Sequence, residues 1–129
     1  MRLRTSIFVL IVSATMMACT TAPIMNVTDA VVAAPAGKQL TNEQVRVAIV
    51  RAGSGLGWQM TDEGPNKLVG TLVLRTHTAV VEIPYSTTNY SIKYRSSMNL
   101  NEQGGTIHKN YNGWIQNLVK GINTQLGLV

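Results

Sequence analysis

Apolar positions along this chain fall into four regimes, and the changes between them place the elements. Residues 7 to 12 are continuously apolar, a run shorter than the ~20 residues a helix needs to cross a bilayer. From residue 20 to 37 the chain is rich in Thr, Ala, Pro and Val, with Pro23, Pro35, Gly37 and a single charge at Asp29. No helical or strand period persists there, so the segment reads as an extended tether. The alternative is that residues 27 to 34 add a strand or short helix. At residue 41 a helical period begins: Val45, Ala48, Ile49 and Ala52 share one face, Thr41 and Gln44 have the spacing of a capping box, and Gly53-Ser54-Gly55-Leu56-Gly57 supplies the stop. These glycines follow a helix and lack a Lys-Ser/Thr ending, so they are a helix stop and tight turn rather than a phosphate loop.

From residue 58 to 100 the period changes to alternation, which predicts four strands. The first covers residues 58 to 61, and Asp62-Glu63-Gly64-Pro65-Asn66 is turn chemistry. Residues 67 to 75 alternate Leu68, Gly70, Leu72 and Leu74 against Val69, Thr71, Val73 and Arg75. A four-residue turn at 75 to 78 would set Leu74 against Ala79, Leu72 against Val81 and Gly70 against Ile83. Around Ser86-Thr87-Thr88-Asn89, antiparallel pairing sets Tyr85 against Tyr90, Ile83 against Ile92 and Val81 against Tyr94, while Glu82 meets Lys93 on the other side as an opposite-charge pair.

The helical period returns over residues 107 to 126, where Tyr111, Trp114, Ile115, Leu118, Ile122 and Leu126 form one stripe, with Trp114 expected in the core. Gly113 and Gly121 lower the intrinsic stability of this helix, so its stripe must be covered by the sheet. The fold class that follows is α+β: a two-layer sandwich of helix, four-stranded antiparallel meander and helix over residues 40 to 129, preceded by a flexible tether over 19 to 39.

The 129 residues carry a formal charge of +5, and setting aside Arg2 and Arg4 leaves nine basic against six acidic residues. That balance is too weak and dispersed to point to a nucleic-acid partner. Cys19 is the only cysteine, so no intramolecular disulfide can form. It follows a basic start, Met1-Arg2-Leu3-Arg4, the apolar run and a stretch of small and medium residues, the tripartite plan of a secretory signal over residues 1 to 18. Within it, Met16-Met17-Ala18-Cys19 resembles the lipobox of bacterial lipoproteins, although Met16 stands where Leu is usual. The chain is thus similar, over its first 20 residues, to small lipoproteins of the Gram-negative envelope. That resemblance implies a diacylglycerol thioether and palmitate on Cys19 after cleavage, and attachment to the membrane through the lipid. It also implies outer-membrane sorting on the periplasmic side, because Thr20 is not the Asp associated with inner-membrane retention.

The alternation leaves one face of the sheet open. It should carry Val69, Val73 and Val80, bordered by Arg75, Lys93, Arg95, Thr71, Glu82 and Ser91, a patch able to receive an envelope protein, a glycan or a lipid headgroup. An ordinary solvated face on which Val reflects strand propensity is the plainer reading. No two carboxylates are posed for acid and base roles. His77 and His108, without a third ligand or a nucleophile, make a poor metal or hydrolase site. The expectation is a protein without catalytic activity, cofactor or metal, acting as a binding or assembly component of the envelope. The alternative is a small-ligand, lipid or glycan carrier or, behind it, an enzyme with a site between helix and sheet.

Overall fold

The computed structural model describes residues 20 to 129; Cys19 and the expected signal segment lie outside the described residues. The chain forms β1 (Thr21–Pro23), β2 (Val27–Val31), α1 (Asn42–Gly55), β3 (Trp58–Asp62), β4 (Lys67–Leu74), β5 (His77–Pro84), β6 (Asn89–Met98), β7 (Thr106–His108) and α2 (Lys109–Leu126). Strands β3 to β6 are consecutive antiparallel neighbours, as the alternation predicts, and β2 adds a fifth strand beside β6. A separate two-stranded sheet pairs β1 with β7.

Helix α1 begins where its cap requires. The Thr41 hydroxyl accepts from the Gln44 amide at 3.1 Å, and the Gln44 side chain accepts from the Thr41 amide at 2.9 Å. Its Arg46 forks onto both carboxylate oxygens of Asp62, at 2.8 and 2.7 Å, tying the helix to the end of β3. Both helices lie over one face of the five-stranded sheet, and one row of the register shows how. Met60, Gly70, Val81 and Tyr94 face one another across β3, β4, β5 and β6. Gly53 of α1 rests against Met60 at one end of this row, and Tyr111 of α2 makes an edge-to-face contact with Tyr94 at the other, centroids 5.7 Å apart. At Gly70 a β-carbon would crowd Met60 and Val81 at 3.1 and 3.2 Å, so the missing side chain makes room for the methionine. The helices meet at Ala52 and Gly121. Val45, Ile49, Leu68, Ile83, Ile92, Ile115, Leu118 and Ile122 fill the layer between and are fully buried.

Four expectations need correction. The segment from residue 20 to 37 is not a flexible tether: it supplies β1 and β2, and Val32 is buried in the common core. The β4–β5 register is displaced by two, Leu74 pairing with His77, Leu72 with Ala79 and Gly70 with Val81. The turn has two residues rather than four because Arg75 adopts φ of +56°; an even displacement leaves every side chain on its expected face. Ile107 belongs to β7, so α2 starts two residues later than its period suggests, with His108 as its cap. Trp114 is only half-buried at the margin of the core, while Trp58 is buried.

Candidate functional site

The open face is built in rows by the register of β3 to β6. At one end Val73, Thr78 and Met98 lie side by side; the next row holds Gln59, Thr71, Val80 and Ser96; the third holds Thr61, Val69, Glu82 and Lys93. A bulge between the last two rows leaves Arg95 as the extra residue of β6, opposite no single partner.

The six residues expected to form one binding patch therefore divide. Val69 is buried. At its end of the face a string of charges crosses the strands: Arg95 reaches Glu63 at 2.6 Å and Glu82 at 3.6 Å, and Lys67 meets the other oxygen of Glu63 at 3.1 Å. The Arg95 hydrogen bond, with Lys67 behind it, holds the Glu63 carboxyl below its ordinary value. Lys93 stands opposite Glu82 in the register, but the ion pair of Glu82 is with Arg95, which the bulge brings closer. Lys93 instead borders a surface depression with Asp29, Asn89 and Ser91. Arg75 lies in the β4–β5 turn beyond the rows, so the three cations do not encircle Val73 and Val80.

What remains uncovered is the other end. Val73 and Met98 are each 65% exposed, and Leu74, on the opposite side of the same strand end, is 47% exposed. This apolar end is braced from behind. His77 donates through Nδ1 to the Asn99 carbonyl at 2.7 Å, and the Asn99 side-chain amide donates to the Thr76 carbonyl at 2.8 Å. The next residue, Leu100, accepts from the His108 amide at 2.7 Å, and the Lys109 amide donates to the Thr20 carbonyl at 2.9 Å. His77 and His108 are thus brought to consecutive residues of one segment, each with a structural role; His108 Nδ1 accepts from the Asn110 amide as the cap of α2. Sequence reasoning missed Met98, because the bulge that turns it onto the open face has no local signature.

Asn112, in the first turn of α2, fastens the N-terminal segment. Its side chain accepts from the Met25 amide and donates to the Pro23 carbonyl, both at 2.9 Å. Ser91 and Asn89 hold the bulge of β2 likewise, through the Asp29 amide and carbonyl.

Among the described residues no group of three or more His, Cys, Asp or Glu side chains is placed to hold a metal, and no helix is long and apolar enough to cross a membrane. An apolar groove of about 290 Å³ lies between α1 and the C-terminal residues, lined by Val47, Ala48, Leu128 and Val129 together with Glu43 and Arg51. It is on the outer side of the helices rather than between helix and sheet. Tyr111 is buried with its hydroxyl unpartnered among the described residues, and burial pushes its phenol well above the ordinary value. No family model, curated protein or solved structure matches the chain.

Proposed function

We propose that this chain is a lipid-anchored envelope protein, cut before Cys19, acylated there and sorted to the periplasmic side of the outer membrane, where it serves as a non-catalytic binding or assembly component. The observation that carries the reading is the order of basic, apolar and small residues immediately before the only cysteine. Three features of the domain support it. Both sheets and both helices are built from residues 21 to 126, which suits a chain cut before Cys19. The layer between helices and sheet is filled by side chains, which favours recognition at the surface over a ligand held inside. Glu43, Asp62, Glu63 and Glu82 are engaged in ion pairs with Arg or Lys, an economy of carboxylates that suits a structural role.

A small-ligand carrier is the second reading, and the groove beside α1 favours it. Metabolic labelling with a fatty acid tests the anchor: the natural chain should incorporate label and Cys19→Ala should not. Equal incorporation by both would overturn the lipoprotein reading.

A further inference from the structure

We propose that the exposed apolar end of the sheet, Val73, Leu74 and Met98 with Arg75 at the hairpin tip, rests in the headgroup region of the membrane to which Cys19 is anchored. This deepens the lipoprotein reading and rests on it.

The argument is one of reach. A flexible tether would let the domain stand at any height and turn any face to the lipid, but Cys19 is joined directly to Thr20, and Thr20 is fixed. Its carbonyl is bound by the Lys109 amide, Thr21 pairs with His108, and the Asn112 side chain holds Pro23 and Met25. Adjacent Cα atoms are about 3.8 Å apart, so an acylated Cys19 has almost no slack between its glycerol and the domain. The part of the domain nearest Thr20 must then lie nearest the bilayer.

A short chain of direct contacts identifies that part. Lys109 follows His108, His108 is bonded to Leu100, and Asn99 is bonded to both His77 and Thr76 in the β4–β5 turn. Met98 pairs with Thr78, and Thr78 with Val73. The anchor and the uncovered apolar row thus belong to the same end of the molecule. Exposed aliphatic side chains at the end of the domain that holds the lipid attachment are suited to the boundary between headgroups and acyl chains, where apolar groups are buried and cations meet phosphate. Arg75 and Lys109 supply the cations there, with Glu102 the one carboxylate in the loop between β6 and β7. The opposite end exposes Val31 beside the Ser86-Thr87-Thr88 turn, but the eight residues of β5 set it about 26 Å away at ~3.3 Å per residue, on the side away from the anchor.

Acylation occupies the sulfur of Cys19, so one introduced cysteine can be labelled selectively. Lipidated full-length protein carrying Thr76→Cys or Thr87→Cys, each modified with an environment-sensitive fluorophore, would be reconstituted into vesicles of phosphatidylethanolamine and phosphatidylglycerol. The expected result is blue-shifted emission at residue 76, quenched by lipids bearing a quencher in the bilayer, and aqueous emission at residue 87. Adding Val73→Asp and Met98→Asp should return residue 76 to aqueous emission while fatty-acid labelling is unchanged. Aqueous emission at residue 76 in protein that is lipidated overturns the docking and leaves the anchor standing. A blue shift that lipid-borne quenchers do not touch overturns it in favour of a covering protein surface. Absence of lipid on Cys19 overturns the anchor and the docking together.

Discussion

Two tyrosines show at the residue scale how a buried hydroxyl takes its worth from its partner. Tyr90 donates to the Asn123 side chain at 2.9 Å, whereas Tyr111, equally buried, has its hydroxyl unpartnered among the described residues. Removing a paired hydroxyl strands the other group, while removing an unpaired one relieves a desolvated donor. Tyr90→Phe should therefore cost about 1 kcal/mol in denaturant unfolding, and Tyr111→Phe should be neutral or stabilising, within about 0.5 kcal/mol. A loss at Tyr111 as large as that at Tyr90 would mean that its hydroxyl is satisfied in solution. Charge on the open face makes a second case. Because the hydrogen bond from Arg95 depresses the Glu63 carboxyl in the folded state, the pair contributes stability above the ordinary carboxylate value and loses it as pH falls through the depressed one. The difference in urea midpoint between the natural chain and Arg95→Gln should be present at neutral pH and vanish in acid. Both groups are well exposed, so the difference should be small and should shrink with added salt. A gap independent of pH would assign it to the packing of the arginine stem instead.

Elements differ in how openly they announce themselves, and α2 gives a prediction as well as a lesson. Its stripe of Tyr111, Ile115, Leu118, Ile122 and Leu126 is fully buried. A β-carbon at Gly113 would meet nothing within 4 Å, whereas one at Gly121 would touch Ala52 of α1 at 3.4 Å. Gly113→Ala should stabilise the domain by about 0.5 to 1 kcal/mol through helix propensity and unfolded-state entropy. Gly121→Leu should destabilise by about 1 to 3 kcal/mol by overpacking the helix crossing. Thermal unfolding of the two variants in opposite directions checks both. The capping box, both helices, the succession of strands from Trp58 onward and the core-facing side of Leu68, Leu72, Val81, Ile83 and Ile92 were legible in the sequence, because each follows from a period of 3.6 or 2 sustained over several turns or alternations. The β4–β5 register was not, since nothing local declares that Arg75 takes φ of +56°. The distribution of Arg75, Lys93 and Arg95 was not legible for a similar reason: alternation assigns faces, but the bulge at Arg95 decides which charges meet. Trp114 fell on the helical stripe by spacing, yet at a margin where period alone cannot tell half-burial from full burial.

The largest misreading concerns the whole molecule, and it carries the prediction with most weight for function. Residues 20 to 39 look like a tether because β1 has three residues and β2 five, and β2 is broken by a bulge in which Asp29 takes φ of +51°. Short, interrupted strands leave no alternation to read, and their pairing comes from partners 60 to 90 residues away: Ser91 and Asn89 for the bulge, Asn112 for Pro23 and Met25. Yet the segment does what a structural element does. β2 covers the edge of β6 and so satisfies backbone groups that would otherwise be an open template for association. Val32 is buried in the core, with Ile24, Met25, Val27, Ala30 and Ala34 packed against it. A chain starting at Leu40 should consequently unfold at a lower urea midpoint than one starting at Thr20. It should also self-associate through the bared edge of β6, seen as a concentration-dependent rise in sedimentation coefficient. A true tether could be removed with neither effect. Coincident unfolding curves and a monomeric truncated chain would restore the tether, and with it the slack that separates a loosely hung domain from one held flush against its membrane.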